Sequence, residues 1–94
     1  MNKVILKGYI IVPDSDLTAV KEELLVHIDL TRKEEGCLIF EVTQHETNKN
    51  RFDVYEEFID KETFSHHQER VRHSKWGSVT QNVERFYEIT GLDE

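Results

Sequence analysis

Residues Val4 to Val12 read Val-Ile-Leu-Lys-Gly-Tyr-Ile-Ile-Val, and Pro13 closes the run. With a period of two, Val4, Leu6, Gly8, Ile10 and Val12 fall on one side and Ile5, Lys7, Tyr9 and Ile11 on the other. Apart from Lys7 both faces are apolar, the pattern of a strand covered by two layers rather than one. The chain has 94 residues, room for a single domain over 1–94. A chain of this size has little to spare for a private core on both sides of a sheet. Only 37% of its residues are hydrophobic, so one covering layer is expected from the chain itself and the other from a second copy.

The rest of the sequence supplies that first layer. Asp14-Ser15-Asp16 offers N-caps after Pro13. The period then changes: Leu17, Val20, Leu24, Leu25 and Ile28 form the apolar face of a helix that ends between Arg32 and Glu35, with Gly36 as its C′ residue. Cys37 to Glu46 returns to alternation, with Leu38, Phe40 and Val42 against Ile39, Glu41 and Thr43. Thr47-Asn48-Lys49-Asn50 is a turn, and Arg51 to Asp60 is the answering strand of a hairpin, with Phe52, Val54, Glu56 and Phe58 on one face. A helix is predicted over Lys61 to Arg72, a short one capped by Ser74 and holding Trp76 and Val79, and a last strand over Val83 to Thr90. The order is β-α-β-β-α-β, a ferredoxin-like α+β fold with a four-stranded antiparallel sheet. Helices cover one face of such a sheet. The other face would carry Ile5, Tyr9, Ile11, Ile39, Tyr55 and Ile59, too apolar for open water, which predicts a homodimer through the open sheet face.

Composition excludes several classes. Twelve Lys+Arg against 19 Asp+Glu give a charge of −7, which argues against a nucleic-acid partner. Arg70, Arg72 and Lys75 are a local exception, diluted by His66, His67 and Glu69. No apolar run approaches the roughly 20 residues that span a bilayer, so no membrane partner is expected. The opening run looks like a signal peptide only as far as Lys7, and no small-residue cleavage site follows, so a cytoplasmic location is expected. A single Cys forms no internal disulfide and no thiolate zinc site; Cys37 reads as a small core residue. No metal site is expected either. His66 and His67 point about 100° apart on a helix, and His66 and His73 lie two turns, roughly 10 Å, apart, neither at the i, i+3 or i, i+4 spacing that shares an ion.

Two residues can carry proton chemistry. His67 lies three positions after Phe64 and four before Val71, so it can face inward, where a neutral imidazole accepts a phenolic proton. The other reading is a surface histidine beside His66. Glu56 sits among Phe52, Val54 and Phe58, where a carboxylate must be paired, hydrogen-bonded or protonated. It can orient His67 or bind a substrate hydroxyl, or simply bond to Arg70 or a backbone amide. Glu57 points the other way. Phe40, Phe58, Phe64 and Trp76 are either the walls of a flat aromatic site or plain core. Arg70 is either a rim cation or a salt-bridge partner.

Gly36-Cys37-Leu38 opening the second strand, then Tyr55-Glu56-Glu57-Phe58, then Phe64, His67-Gln68, Arg70, Ser74 and Trp76-Gly77 form an ordered series. It resembles the antibiotic biosynthesis monooxygenase domain, a family of dimeric α+β barrels, over about Val4 to Ile89. Phe58 stands where many relatives carry Trp, which keeps the aromatic wall and loses an N–H donor. The resemblance implies oxidation of a small aromatic or quinol-like substrate by O₂ without flavin, haem or metal, in a pocket between sheet and helices. His67 would be the base, assisted by Glu56, with Phe40, Phe58, Phe64, Trp76 and Arg70 binding substrate. Haem-degrading relatives carry an Asn on the first strand, and Val4 to Val12 has none. Two other classes remain open: an acid/base isomerase or signal-molecule-processing enzyme of the same fold, and a non-catalytic ligand-binding dimer module.

Overall fold

Strand β1 (Val4–Ile11) runs through the middle of a sheet, with β3 (Arg51–Phe58) on one side and β4 (Glu84–Thr90) on the other, both antiparallel to it. β2 (Cys37–Gln44) completes the order β2-β3-β1-β4 beyond β3. This computed structural model describes residues 3–92. Three helices, α1 (Leu17–Arg32), α2 (Lys61–Arg72) and α3 (Lys75–Val79), form the second layer. The fold is ferredoxin-like α+β with one four-stranded antiparallel sheet, as the alternating periods predict.

The core lies where β1 and β3 turn their even-numbered residues toward the helices. Val4, Leu6, Ile10 and Val12 pack with Phe52, Val54 and Phe58, and Val20, Leu24, Phe64 and Trp76 close over them. Gly8 is the gap in that row. Its φ is +154°, and a Cβ there would lie 1.9 Å from the Phe86 carbonyl oxygen, so only glycine lets β4 pair at this point.

Two expectations about element bounds change. β3 stops at Phe58 rather than at Asp60, because Asp60 is the N-cap of α2: its carboxylate accepts from Thr63 N at 2.9 Å in a capping box. β2 stops at Gln44, where His45 N turns to bond the Arg51 carbonyl. The buried stripe of α1 is also rotated from the one its apolar residues suggest. Leu25 is 73% exposed, and the buried positions are Val20, Leu24, His27 and Thr31. Their 4-3-4 spacing follows one face of the helix, and that face contains two polar residues.

Among the described residues no helix lies over the opposite sheet face. There Tyr9 stacks on Phe86 with ring centroids 4.8 Å apart, and the Arg51 guanidinium lies 3.9 Å from the Tyr9 ring centre. Ile5, Ile11 and Tyr55 are half-buried there, and Ile39 is exposed. Glu57 takes a hydrogen bond from Tyr55 and an ion pair from Lys3 at 3.1 Å. The edge strand β4 is exposed at every position.

Candidate active site

Glu56 arrives at the helix-facing side of the sheet because its strand alternates without interruption. Phe52, Val54, Glu56 and Phe58 are all buried, and Glu56 is 7% exposed. Its Oε1 has no hydrogen-bond partner among the described residues. An ionised carboxylate in that position would be costly, and burial, reinforced by the charge of Glu34, pushes its pKa up to about 8. Glu56 is therefore protonated at neutral pH.

His67 meets it from above. Placed on the same face of α2 as Phe64, it is 3% exposed, so the inward reading holds over the surface one. Its Nε2 lies 3.9 Å from Glu56 Oε1. Its ring packs on Phe58 at 4.9 Å and on Phe40 at 5.8 Å between centroids. On its other side Nδ1 lies 3.0 Å from Glu34 Oε1. Burial lowers the His67 pKa, and the Glu34 carboxylate partly opposes that shift.

Arg70 does not reach Glu56. Its Nε donates to Glu34 and its terminal nitrogen donates to Thr31 Oγ1 at 2.9 Å. Arg70 is thus a salt-bridge partner in a chain that ties the end of α1, the turn after it and α2. Thr31, at the foot of the chain, is fully buried.

His27 is the other histidine of the site, and its side chain was not expected to face inward. It is 4% exposed, stacks on Trp76 with centroids 4.5 Å apart and planes within 4°, and lies 6.0 Å from the His67 ring. Burial and the neighbouring His67 and Arg70 lower its pKa to about 3, so it is neutral, and its Nδ1 has no partner among the described residues. Among the described residues no three His, Cys, Asp or Glu converge as metal ligands. Burial and nearby Glu34 and Glu56 raise the Cys37 thiol, which stays protonated.

The aromatic residues divide between the centre and two clefts. Phe40 and Phe58 pack on His67, while Phe58 meets Phe64 edge-on at 5.5 Å. Trp76 and Arg70, with His27 and Leu30, line an open cleft of about 510 Å³ between α1 and the α2–α3 junction. Phe64 lines a separate groove of about 790 Å³ that runs toward Arg85 of β4. The site thus combines a neutral imidazole, a protonated carboxyl group and an aromatic surround, and His27, whose ring lies 6.0 Å from that of His67, also lines the cleft.

Two residues of this constellation escaped the sequence. Glu34 lies in a turn where no periodicity applies. His27 had a signal: it is three residues after Leu24 and seven after Val20, on the same helical face.

The comparisons agree with this architecture. The sequence matches the family described as antibiotic biosynthesis monooxygenase over residues 4–78. No curated protein matches it. In fold it is similar to a candidate antibiotic biosynthesis monooxygenase from Nitrosomonas europaea, at TM-score 0.82 and 21% identity over 95% of this chain and 88% of that one. A second such candidate, from Bacteroides thetaiotaomicron VPI-5482, aligns at TM-score 0.80 and 18% identity over 99% of this chain and 90% of the other. MupZ from Pseudomonas fluorescens aligns at TM-score 0.76 and 23% identity over 97% and 70%. At such identities the structural likeness is one of fold, and the match over most of the sequence carries the assignment. The chain belongs to the antibiotic biosynthesis monooxygenase family.

Proposed function

We propose that the protein is a homodimeric monooxygenase that oxidises a small phenol or quinol with O₂, without a cofactor, using His67 as base and Glu56 as the acid beside it. The observation that carries this reading is the 3.9 Å approach of His67 Nε2 to the unpartnered, buried Glu56 Oε1. In this reading one substrate hydroxyl meets both groups, giving its proton to Nε2 and accepting from the Glu56 carboxyl. His67 takes the hydroxyl proton, and the resulting anion passes one electron to O₂. The radical and superoxide combine at a ring carbon bearing hydrogen, and the returned proton completes a hydroperoxide. Loss of water leaves a carbonyl: one oxygen atom enters the product and the other leaves as water, so a phenol plus O₂ becomes a quinone plus H₂O. Excluding bulk water protects the anion, and Phe40 and Phe58 around His67 support that role. The cleft floored by His27 and Trp76 is the approach for substrate, and Arg70 stands at its wall. Dimer formation through the open sheet face is supported by the Tyr9–Phe86 stack and the half-buried Ile5 and Ile11 on it.

The test is O₂ uptake by the wild-type protein and His67→Ala with a panel of phenols and hydroquinones. Loss of the base is expected to slow uptake on the order of a hundredfold or more. Equal rates in both proteins would remove His67 from the role. One neutral base beside one protonated acid also suits proton transfer next to a carbonyl, so turnover of small enolisable carbonyl compounds under anaerobic conditions would favour the isomerase reading instead.

A further inference from the structure

Glu34 belongs to none of the elements that frame the site, yet it makes the shortest polar contact to the His67 ring. The two sides of that ring are unlike. Nδ1 faces Glu34 Oε1 at 3.0 Å and Oε2 at 3.3 Å, whereas Nε2 faces Glu56 Oε1 at 3.9 Å, beyond hydrogen-bond reach. The Glu34 carboxylate also accepts from Arg70, and Arg70 is itself braced on buried Thr31. An ionised carboxylate accepts only, so the nitrogen facing it must carry a proton. Only one proton sits on a neutral imidazole. We propose that Glu34 is a positioning residue that holds His67 as the Nδ1–H tautomer, leaving the Nε2 lone pair directed at Glu56, and that the pair accordingly takes its substrate as a neutral hydroxyl.

The first half stands on geometry alone; the second rests on the function proposed above. With Nε2 as acceptor and Glu56 as O–H donor, the pair matches an oxygen that both donates and accepts. A hydroxyl does both, whereas an ether oxygen only accepts and leaves Nε2 unpaired. Every charged or titratable group around the ring is consistent with a neutral His67. Glu34 and Arg70 offset one another, Glu56 from β3 is protonated, and His27 from α1 is uncharged.

Nitrogen-15 NMR of the full chain at pH 7 reads the tautomer directly. The wild-type protein is expected to show a protonated Nδ1 and an unprotonated Nε2 at His67. In Glu34→Ala the single tautomer is lost to a mixture or to the Nε2–H form, while Glu34→Gln, whose amide oxygen still accepts, restores it. Removing the carboxylate charge in Glu34→Gln also moves the His67 titration downward, since that charge raises its pKa. A wild-type ring protonated at Nε2, or a Glu34→Ala ring unchanged from wild type, would overturn the assignment. For the second half, hydroquinone is expected to shift the His67 Nε2 resonance and its dimethyl ether is not; equal effects from both, or none from either, would overturn it. The wild-type tautomer is measured without turnover, so a protein that consumes no O₂ can still carry it, and the two proposals fail separately.

Discussion

Replacing Glu56 with glutamine should make the protein more stable, and increasingly so as the pH rises. Glutamine has the shape of the protonated side chain and cannot ionise. The native carboxyl has a pKa near 8 against about 4.5 when solvated, so between these values the folded chain holds a proton that the unfolded chain has released. Folding then becomes less favourable with every step upward in pH, since the unfolded state binds fewer protons. Integrating a single site from pH 5 to pH 8 gives a loss of about 3 kcal/mol, an upper bound if the sheet relaxes around the ion. His27 works in the other direction. Its folded pKa of about 3 lies below the usual 6.5, so it favours the folded state as pH rises and levels off above that value. The wild-type profile alone would mix the two, and the difference between wild type and Glu56→Gln isolates one. Urea unfolding followed by the fluorescence of the single Trp, at fixed protein concentration, gives that difference. It should be small at pH 5 and grow to about 3 kcal/mol in favour of the variant at pH 8. A difference that stays flat across this range would mean that Glu56 ionises as freely as a surface carboxylate, and the acid role would fall with it.

Two further outcomes follow from the sheet. Phe86→Glu puts a charge into the Tyr9 stack on the uncovered face; sedimentation should show the proposed dimer weakened by at least about tenfold, and an unchanged association constant would remove that face from the proposed interface. Gly8→Ala places a methyl group against the Phe86 carbonyl at a positive φ, so it should cost on the order of 2–4 kcal/mol in the same urea assay, whereas a loss below about 0.5 kcal/mol would show that β4 shifts aside freely.

The fold was legible because its two periods are clean. Val4 to Val12 is apolar on both faces, Phe52 to Phe58 keeps one inward row of even-numbered residues, and the helix between them changes period at Leu17. The ends were less so: Asp60 is an acceptable last strand residue until one sees that Thr63 completes its capping box. Glu56 could be read as a site residue for the same reason as the strand, since an acid in an apolar row is a contradiction that burial must resolve. His67 needed only the spacing to Phe64. Its partner could not be found this way, because Glu34 lies 33 residues away in a turn, and the contact exists only once α1 and α2 are laid side by side. Leu25 departs from its expected burial for a related reason. Hydrophobicity alone chose Leu25, while packing chose His27, which stacks on Trp76, and Thr31, which takes a bond from Arg70.

The bareness of β4 sets the order in which the molecule lets solvent into its backbone. Among the described residues its backbone pairs with β1 alone, and no side chain of the strand is buried, so it opens more readily than the strands inside the sheet. Deuterium should therefore enter β4, and the β1 amides that bond to it, by a local route and enter β3 only when the whole domain unfolds. In an assembled pair that buries Phe86, the two rates draw together, which makes the exchange of this one strand a gauge of assembly inside an intact domain.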